Sequence, residues 1–196
     1  MGSVVTVLLC GVGGQGTILA ADLLARAALA SGFQAKVSEI HGMSQRGGSV
    51  TTVVRFGKDG VSSMECDPGT ADAVVSFETT EALRNLPFVS RDGYLLVSDT
   101  SIAPLPVLTG KAAMPRDVSG RLRDAGAVVI DADALAKRVG SPKSVNVVLL
   151  GALAIRLEFP LDAWERVIRE RVPAKTVDAN LAAFHEGYRF AQQAVG

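Results

Sequence analysis

The sequence predicts an α/β fold, and three observations lead to that prediction. Residues 4–10 read VVTVLLC, an unbroken apolar run typical of a parallel strand that helices cover on both faces. A glycine-rich turn at residues 11–16 follows directly, and residues 17–31 are rich in Ala and Leu, which predicts a helix. From residue 144 onward the pattern is helical. Together these features predict a Rossmann-like, mostly parallel sheet with helices on both faces, a β-hairpin insertion and a helical C-terminal third.

The middle of the chain interrupts the βα alternation once. Residues 49–56 and 61–65 flank GKDG, a short segment of turn formers, and this pattern predicts a β-hairpin. Pro104, Pro106 and Pro115 predict an irregular connection, because proline lacks the donor that a strand ladder needs. The other predicted strands are 34–40, 73–77, 93–98 and 127–131, and the other predicted helices are 79–86, 133–139, 145–157, 161–171 and 177–193. We expect residues 1–196 to form one domain.

Composition excludes several classes of partner. Lys and Arg total 20 and Asp and Glu total 20, and no basic run is interleaved with aromatic residues, so we expect no nucleic-acid partner. The longest apolar stretch, residues 145–155, is interrupted by Asn146 and Gly151 and is shorter than the roughly 20 residues of a membrane span. The first residues carry no basic leader, so we expect a cytoplasmic protein without membrane association.

Metal ligands are scarce in this sequence. Cys10 and Cys66 are the only cysteines, which is too few for a cysteine-ligated iron–sulfur cluster. His41 and His185 are far apart in sequence, which argues against a zinc site. We therefore assign no metal site, and any redox centre that this protein uses should belong to a partner.

The first glycine cluster is a candidate anion-binding turn. Gly11, Gly13 and Gly16 satisfy G-x-G-x-x-G between a strand and a helix, where exposed backbone amides can face a phosphate. Gly14 adds a further amide, and Gln15 offers its side-chain amide to a ligand or to a neighbouring loop. The alternative is a tight strand-to-helix turn in which small residues serve packing alone.

A dinucleotide site would also need an acidic residue at the end of the second strand to bind the ribose. Glu39 stands near that place, but it follows Gly11 by more than the usual spacing of about 20 residues. His41 and Gly42 then lead into a loop that differs from an ordinary NAD domain. Glu39 is therefore only a partial match to the dinucleotide pattern.

The second glycine cluster, HGMSQRGGSV, contains a charged fork between small residues. Arg46 suits a carboxylate, a phosphate or the backbone of a partner, although a lone Arg is also commonly a solvated surface cation. His41 is either a titrating donor or a structural residue, and we assign no catalytic residue. The candidate ligand- or interface-binding residues of this cluster are His41, Ser44, Gln45, Arg46, Gly47 and Gly48.

Three further polar residues lie next to predicted elements. Asn146, near the start of an apolar helix, should either cap that helix or bond a neighbouring loop, and capping is the interpretation we favour. Asp99 and Asp131 end predicted strands, at the edge where α/β proteins bind ligands, but Asp is also a common starter of turns and helices.

Several motifs in order along the chain resemble one protein family. They are GVGGQG, EIHGMSQRGGSV, ADAVVSFETTEALR, NVVLLGALA and NLAAFHEGY. The sequence is similar to the gamma subunits and domains of 2-oxoacid:ferredoxin oxidoreductases, and HGMSQRGG is most similar to the indolepyruvate-type members. The glycine turn at 11–16, the loop at 44–48 and Asn146 match the shared motifs of that family.

The resemblance implies a reaction and a division of labour. The reaction is oxidative decarboxylation of an aryl 2-oxoacid such as indolepyruvate, with coenzyme A, to an acyl-CoA and carbon dioxide, with electrons passing to ferredoxin. Thiamine diphosphate, Mg²⁺ and 4Fe-4S clusters are expected on a larger partner subunit, and this chain alone is expected to be inactive. Arg46 is expected to steer an anionic group of the substrate or of coenzyme A.

Two other interpretations stay open at this point. A free Rossmann enzyme would bind NAD(P) or a flavin on its own. A purely structural subunit would have no ligand, and its glycine loops would dock against the larger chain.

Overall fold

The structure is a computed structural model that describes residues 4–41 and 48–195. The strands in these ranges are β1 (Val5–Val12), β2 (Gln34–His41), β3 (Ser49–Gly57), β4 (Ala71–Ser76), β5 (Val89–Ser98) and β6 (Val128–Ile130). The helices are α1 (Thr17–Ala30), α2 (Thr79–Asn85), α3 (Leu105–Leu108), α4 (Val118–Asp124), α5 (Ala132–Arg138), α6 (Val145–Ala154), α7 (Leu161–Arg171) and α8 (Val177–Val195). Single 3-10 turns lie at Leu86–Phe88 and Ala174–Thr176.

The described strands form one mixed sheet of order β2-β3-β1-β4-β5-β6. Pairing is parallel from β1 through β4 and β5 to β6, and β3 is antiparallel to both of its neighbours. Alternate residues of β1 enter two separate cores, Leu9 on the face of α1, α6, α7 and α8 and Leu8 on the face of α2 and α4. Helices therefore cover both faces, and the unbroken apolar run of β1 has the physical cause that the sequence predicts.

The predicted hairpin of residues 49–56 and 61–65 is wrong in its second strand. Residues 61–65 form no strand, and the antiparallel hairpin consists of β2 and β3, with His41 opposite Val50. The reason is that β3 pairs with β2 along one edge and with β1 along the other, so neither edge is left for residues 61–65. Lys36 Nζ donates to the Ser62 carbonyl at 3.3 Å, and Arg55 donates to the carbonyls of Ser63 and Glu65 at 3.1 and 3.0 Å.

The C-terminal third is helical, as predicted, and its centre is the close contact between α6 and α8. A Cβ added at Gly151 would lie 1.9 Å from the carbonyl oxygen of Phe184, and one added at Gly187 would lie 1.9 Å from that of Val148. Only glycine permits this approach of two helix backbones. Within the described residues, no helix is long and apolar enough to span a membrane.

The fold has a topological switch point between β1 and β4. These neighbouring strands are parallel, and α1 after β1 packs in one core whereas α2 after β4 packs in the other. In open α/β sheets the crevice outside the carboxyl ends of such strands is the usual ligand site. The glycine turn that follows β1 lies at this edge.

Candidate functional site

The two glycine clusters of the sequence meet at the carboxyl edge of the sheet. Gly11 is still part of β1, opposite Val50 of β3, and the backbone N–H of Gly13 donates to the carbonyl oxygen of Gly48 at 2.9 Å. Gly14 and Gly16 adopt φ of +101° and +83°, a region that favours glycine. The turn after β1 is therefore held against the start of β3.

Gln15 is bonded to backbone on both sides of the switch point. Its Oε1 accepts from the backbone N–H of Val12 at 2.7 Å, and its Nε2 donates to the carbonyl oxygen of Phe77 at 3.0 Å. A Cβ at Gly11 would lie 2.7 Å from the Gln15 Oε1 and 2.9 Å from the Phe77 Cβ, so glycine there makes room for this bridge. Of the two predicted partners of Gln15, the structure shows the neighbouring loop.

Asn146 joins the glycine turn to the start of α6. Its Nδ2 donates to the carbonyl oxygen of Gly16 at 3.3 Å, and a Cβ at Gly16 would lie 2.8 Å from that Nδ2. The favoured prediction that Asn146 caps α6 is wrong, because Ser144 holds the cap position. Asn146 lies inside the first turn of α6, so its side chain is free to bond the glycine turn instead of the helix end.

A cleft of about 500 Å³ lies beside this junction. The glycine turn forms one wall, and the loop before α6, which carries Lys143, forms another. Ser144 Oγ donates to Asn180 Oδ1 at 2.9 Å and lies 2.6 Å from Ser141 Oγ. Asn180 in turn donates to the carbonyl of Thr176 at 2.8 Å, so a hydrogen-bond network fixes the far wall.

The cleft combines features that favour an anion. The 14-residue helix α1 begins at Thr17, and its N-cap residue Gly16 makes no side-chain cap, so the first backbone N–H groups have no side-chain acceptor. The amino end of a helix carries partial positive charge, and Lys143 on the opposite wall is exposed. A phosphate or a carboxylate is the group that such a site can bind.

Two buried carboxylates at the same edge were not among the residues singled out from the sequence. Glu78 is 1% exposed and caps α2, accepting from the backbone N–H of Thr80 at 2.9 Å and from that of Glu81. Burial raises the pKa of the Glu78 carboxyl, although these backbone donors oppose the shift. The signal in the sequence was the acidic pair three residues apart after an apolar strand, a variant of the capping box.

Glu81 connects α2 to the start of β3. It is 5% exposed, its Oε2 accepts from the Ser49 hydroxyl at 2.6 Å, and its Oε1 lies 3.1 Å from Arg84 Nε. Ser49 directly follows Gly48, so this bond fixes the point where the second glycine cluster joins β3. Because the hydroxyl donates to a carboxylate, the link is a charge-assisted one.

The remaining candidates of the second glycine cluster lie at the boundary of the described residues. His41 ends β2 opposite Val50, and Gly48 accepts the bond from Gly13. Ser44, Gln45, Arg46 and Gly47 lie outside the described residues. The described residues on either side of this segment, His41 and Gly48, lie at the carboxyl edge next to the glycine turn.

The topology argues against a dinucleotide site at Glu39. In a dinucleotide-binding sheet the strand that carries the ribose-binding acid lies next to β1. Here antiparallel β3 lies between β1 and β2, so Glu39, opposite Thr52, is two strands from β1. Neighbouring strands are about 4.8 Å apart, which places the Glu39 backbone roughly 10 Å from β1.

The cysteines do not fit an iron–sulfur cluster. Cys10 is fully buried in β1, where desolvation raises the pKa of its thiol to about 12, and burial also raises the pKa of the Cys66 thiol. A cluster needs thiolates, usually four.

Asp131, which ends a predicted strand, is a helix starter in the structure. It caps α5 by accepting from the backbone N–H of Ala134 at 2.9 Å.

Comparison with known proteins gives relatives over nearly the whole chain. A family model described as pyruvate ferredoxin/flavodoxin oxidoreductase matches residues 6–190. Indolepyruvate oxidoreductase subunit IorB of Thermococcus kodakarensis is 39% identical over 202 residues, spanning 97% of each chain. The subunit of the same name from Pyrococcus horikoshii is 40% identical over 199 residues, spanning 95% of this chain and 96% of its own.

A solved structure shares the fold. The gamma subunit of a keto/oxoacid ferredoxin oxidoreductase from Geobacter sulfurreducens PCA superposes with a TM-score of 0.71 at 24% identity. The match covers 96% of this chain and 99% of that subunit. The two chains therefore share the fold over nearly their full lengths.

Proposed function

The chain belongs to the pyruvate ferredoxin/flavodoxin oxidoreductase family, and from that premise we propose that it is the cofactor-free subunit of an indolepyruvate-type 2-oxoacid:ferredoxin oxidoreductase. Its similarity to the indolepyruvate oxidoreductase subunits IorB, at about 40% identity over nearly the full length, supports this assignment. The complex cleaves the bond between the carboxylate and the oxo carbon of an aryl 2-oxoacid. The carboxylate leaves as carbon dioxide, the oxo carbon becomes the thioester of coenzyme A, and the electron pair passes to ferredoxin.

The partner in this proposal is a larger subunit that carries thiamine diphosphate, Mg²⁺ and 4Fe-4S clusters. The chemistry of this chain's own residues supports that division, since it has only two cysteines and burial raises the pKa of both thiols. Thiamine diphosphate bound to the partner would supply the chemistry that activates the oxo carbon, and this chain would bind and orient the reactants. We expect the complex to work in the cytoplasm, with ferredoxin as its electron acceptor.

The contribution of this chain is the anion cleft at the glycine turn. The observation that carries this assignment is the uncapped start of α1 after Gly16, which lines a cleft of about 500 Å³ together with Lys143. Coenzyme A and the 2-oxoacid both carry anionic groups. The backbone N–H groups at the start of α1, together with Lys143, could bind an anionic group of either one. The Gln15 and Asn146 bonds hold the turn in the geometry that exposes these amides.

Arg46 is the second cation of the proposed site. The flanks of its loop, His41 and Gly48, lie at the same edge as the glycine turn, and the Gly13 to Gly48 hydrogen bond joins the two segments. An Arg fork forms bidentate hydrogen bonds with a carboxylate or a phosphate. Replacing Arg46 with Ala should raise the KM of an anionic reactant, whereas Arg123→Ala on α4 serves as a matched control.

The experiment that tests the cleft is a comparison of Lys143→Ala with Lys137→Ala in the assembled complex. Both residues are exposed lysines, and only Lys143 lines the cleft. We expect Lys143→Ala to raise the KM for coenzyme A or for indolepyruvate about three- to ten-fold, in line with loss of one hydrogen bond worth about 1 kcal/mol at an exposed side chain. Equal kinetic constants for the two variants would refute a binding role for the cleft and leave docking of the partner as its function.

The free dinucleotide enzyme remains a testable alternative. The position of β3 between β1 and β2 counts against it, because the ribose-binding acid then has no place beside β1. A nucleotide that binds only the folded chain would raise its melting temperature by mass action. We expect NAD(P) and flavin nucleotides to leave the melting temperature of the isolated chain unchanged.

A further inference from the structure

The most exposed large apolar side chains of the described residues are concentrated at one edge of the sheet. Leu108 is 71% exposed, Leu105 is 69% exposed and Ile40 is 64% exposed, and Ile18 and Leu29 follow at 55% each. Four of these five lie at the carboxyl edge, and Leu29 lies at the opposite, amino edge. Single apolar side chains on a surface need no explanation, whereas a concentration of them marks a surface that binds another molecule.

The topology places the four side chains along the carboxyl edge. β1, β2, β4 and β5 run in the same direction, so their carboxyl ends lie together. Ile40 is the penultimate residue of β2, Ile18 lies in the first turn of α1, and Leu105 and Leu108 belong to α3, the first helix after β5. Neighbouring strands are about 4.8 Å apart, so the four intervals from β2 to β5 span roughly 19 Å.

Hydrogen bonds hold the segment that leads to α3 at this edge. The backbone N–H of Thr79 donates to the carbonyl oxygen of Thr100 at 2.8 Å, and the Glu78 carboxylate accepts from the backbone N–H of Ile102. Both contacts lie beside Phe77, whose carbonyl oxygen accepts the side chain that anchors the glycine turn. The start of α3 is thus joined to the glycine turn through the end of β4.

α3 is a preformed apolar turn. Pro104 precedes it and Pro106 is its second residue, so two φ angles are fixed by the proline rings. The Thr109 hydroxyl donates to the carbonyl oxygen of Leu105 at 2.9 Å and closes the turn. Leu105 and Leu108 are three positions apart, so they share one side of it. A rigid turn loses little conformational entropy on binding, which suits its exposed leucines as anchors.

The anion cleft lies at the same edge, and this determines what covers the leucines. In the proposed function the reactants bind at the glycine turn, and the cofactor that acts on them belongs to the larger subunit. Reacting atoms must come within about 3.5 Å of each other, so the larger subunit has to lie against the surface around the cleft. A standard interface buries about 800 Å² on each side, a patch about 30 Å across. Such a patch centred on the cleft is wide enough to reach both β2 and α3.

We propose that the larger subunit docks on the carboxyl edge, with Leu105 and Leu108 as apolar anchors and with Ile18 and Ile40 in the same interface. The partner surface that receives the two leucines is an apolar one, since burial of apolar area is what these side chains offer. The proposal rests on the proposed function, because it requires a partner whose cofactor reaches the glycine turn. Leu29, at the amino edge, lies outside this interface.

Calorimetric titration of the larger subunit with the full chain, under anaerobic conditions, tests the proposal. Leu105→Gln combined with Leu108→Gln should raise the Kd at least about thirty-fold, because two leucines lose their burial. Ile18→Gln should raise the Kd about five-fold. Leu29→Gln is the matched control, since Leu29 lies on the same helix as Ile18 and is equally exposed, and it should leave the Kd unchanged. Each isolated variant should keep the melting temperature of the wild type, because the replaced side chains are exposed.

The outcomes separate this interface from the activity of the complex. Equal Kd values for the double variant, Ile18→Gln and the Leu29→Gln control would overturn the interface, and ferredoxin reduction by the wild-type complex would then leave the proposed function intact. Binding that depends on the leucines would support the interface, and its occurrence without ferredoxin reduction would contradict the proposed function alone. The double variant could instead lose self-association in sedimentation and bind the larger subunit as the wild type does. The leucines would then join two copies of this chain, and the proposal would be overturned.

Discussion

The Nε2 of Gln15 donates to the carbonyl oxygen of Phe77 at 3.0 Å, and this bond joins the ends of β1 and β4 across the switch point. The Oε1 of the same side chain accepts from Val12 at 2.7 Å, so one amide satisfies two backbone groups. Gln15→Ala should therefore lower the free energy of unfolding by about 1–2 kcal/mol. Urea denaturation measures this loss, and Gln192→Ala, an exposed glutamine of α8, is the control. A loss no larger than that of the control would contradict a structural role for the Gln15 bridge.

Gly16 and Gly32 form a matched pair for a test of the glycine turn. Their φ angles are +83° and +82°, but a Cβ at Gly16 meets Asn146 Nδ2 at 2.8 Å, whereas nothing lies within 4 Å of one at Gly32. Both Gly→Ala changes cost about 1–2 kcal/mol of backbone strain. Gly16→Ala should cost about 1 kcal/mol more, because it also displaces the Asn146 amide.

The extra cost at Gly16 has its own control. In an Asn146→Ala background the clash partner is gone, so the difference between the two glycine variants should disappear in urea denaturation. If the difference persisted there, the contact with Asn146 would not be its cause.

The buried thiol of Cys10 predicts a loss of stability at alkaline pH. Its pKa rises from the model-peptide value of 9.0 to about 12 in the folded chain, because burial disfavours the thiolate. The unfolded chain therefore releases this proton above pH 9 while the folded chain retains it. The contribution of the protonated Cys10 thiol to the free energy of unfolding is fully present below pH 9. It is lost at about 1.4 kcal/mol per pH unit as the pH rises from 9 toward 12.

Comparison of the wild type with Cys10→Ala isolates this contribution. The difference between their unfolding free energies should be constant from pH 7 to pH 8.5 and should shrink by about 1 kcal/mol near pH 10. A difference that is independent of pH across this range would show that Cys10 ionises alike in both states.

Tyr94→Phe should stabilise the ligand-free chain. The variant removes a buried hydroxyl that has no partner among the described residues and keeps the ring beneath Arg156. We expect a gain of about 1 kcal/mol, or roughly 2–4 °C in Tm for a chain of this size. Tyr188→Phe on α8 should give no such gain. A lower Tm for Tyr94→Phe would mean that the hydroxyl has an acceptor within the fold.

The sequence was most informative where local pattern and tertiary burial agree. The apolar run of β1 and the helices after residue 144 have the predicted character, because a strand covered on both faces or a buried helix needs apolar residues at nearly every position. The resemblance to the family is also confirmed, since the family model matches residues 6–190 and a relative is 39% identical over 97% of this chain.

Long-range hydrogen bonds account for what the sequence did not disclose. The turn formers of GKDG indicate a hairpin, but β3 pairs with β2 on one edge and with β1 on the other, which leaves no edge for the segment after it. The insertion of β3 beside β1 follows from pairing between segments about 40 residues apart, which no local pattern specifies.

The same limit applies to the site. Asn146 bonds a carbonyl 130 residues away, and Glu81 bonds Ser49 across 32 residues, so neither partner could be read from its neighbours in sequence. Glu78, by contrast, caps its own helix and has a local signature. The roles of Ser44, Gln45, Arg46 and Gly47 stay predictions.

The most direct test of the subunit assignment is anaerobic reconstitution. The purified chain is combined with its larger partner subunit, and ferredoxin reduction is measured with indolepyruvate and coenzyme A. We expect reduction only when both chains are present, with the partner retaining the thiamine diphosphate and the iron–sulfur absorbance after separation. Full activity of the partner without this chain, or an oxidoreductase activity of this chain alone with NAD(P) or a flavin, would contradict the assignment.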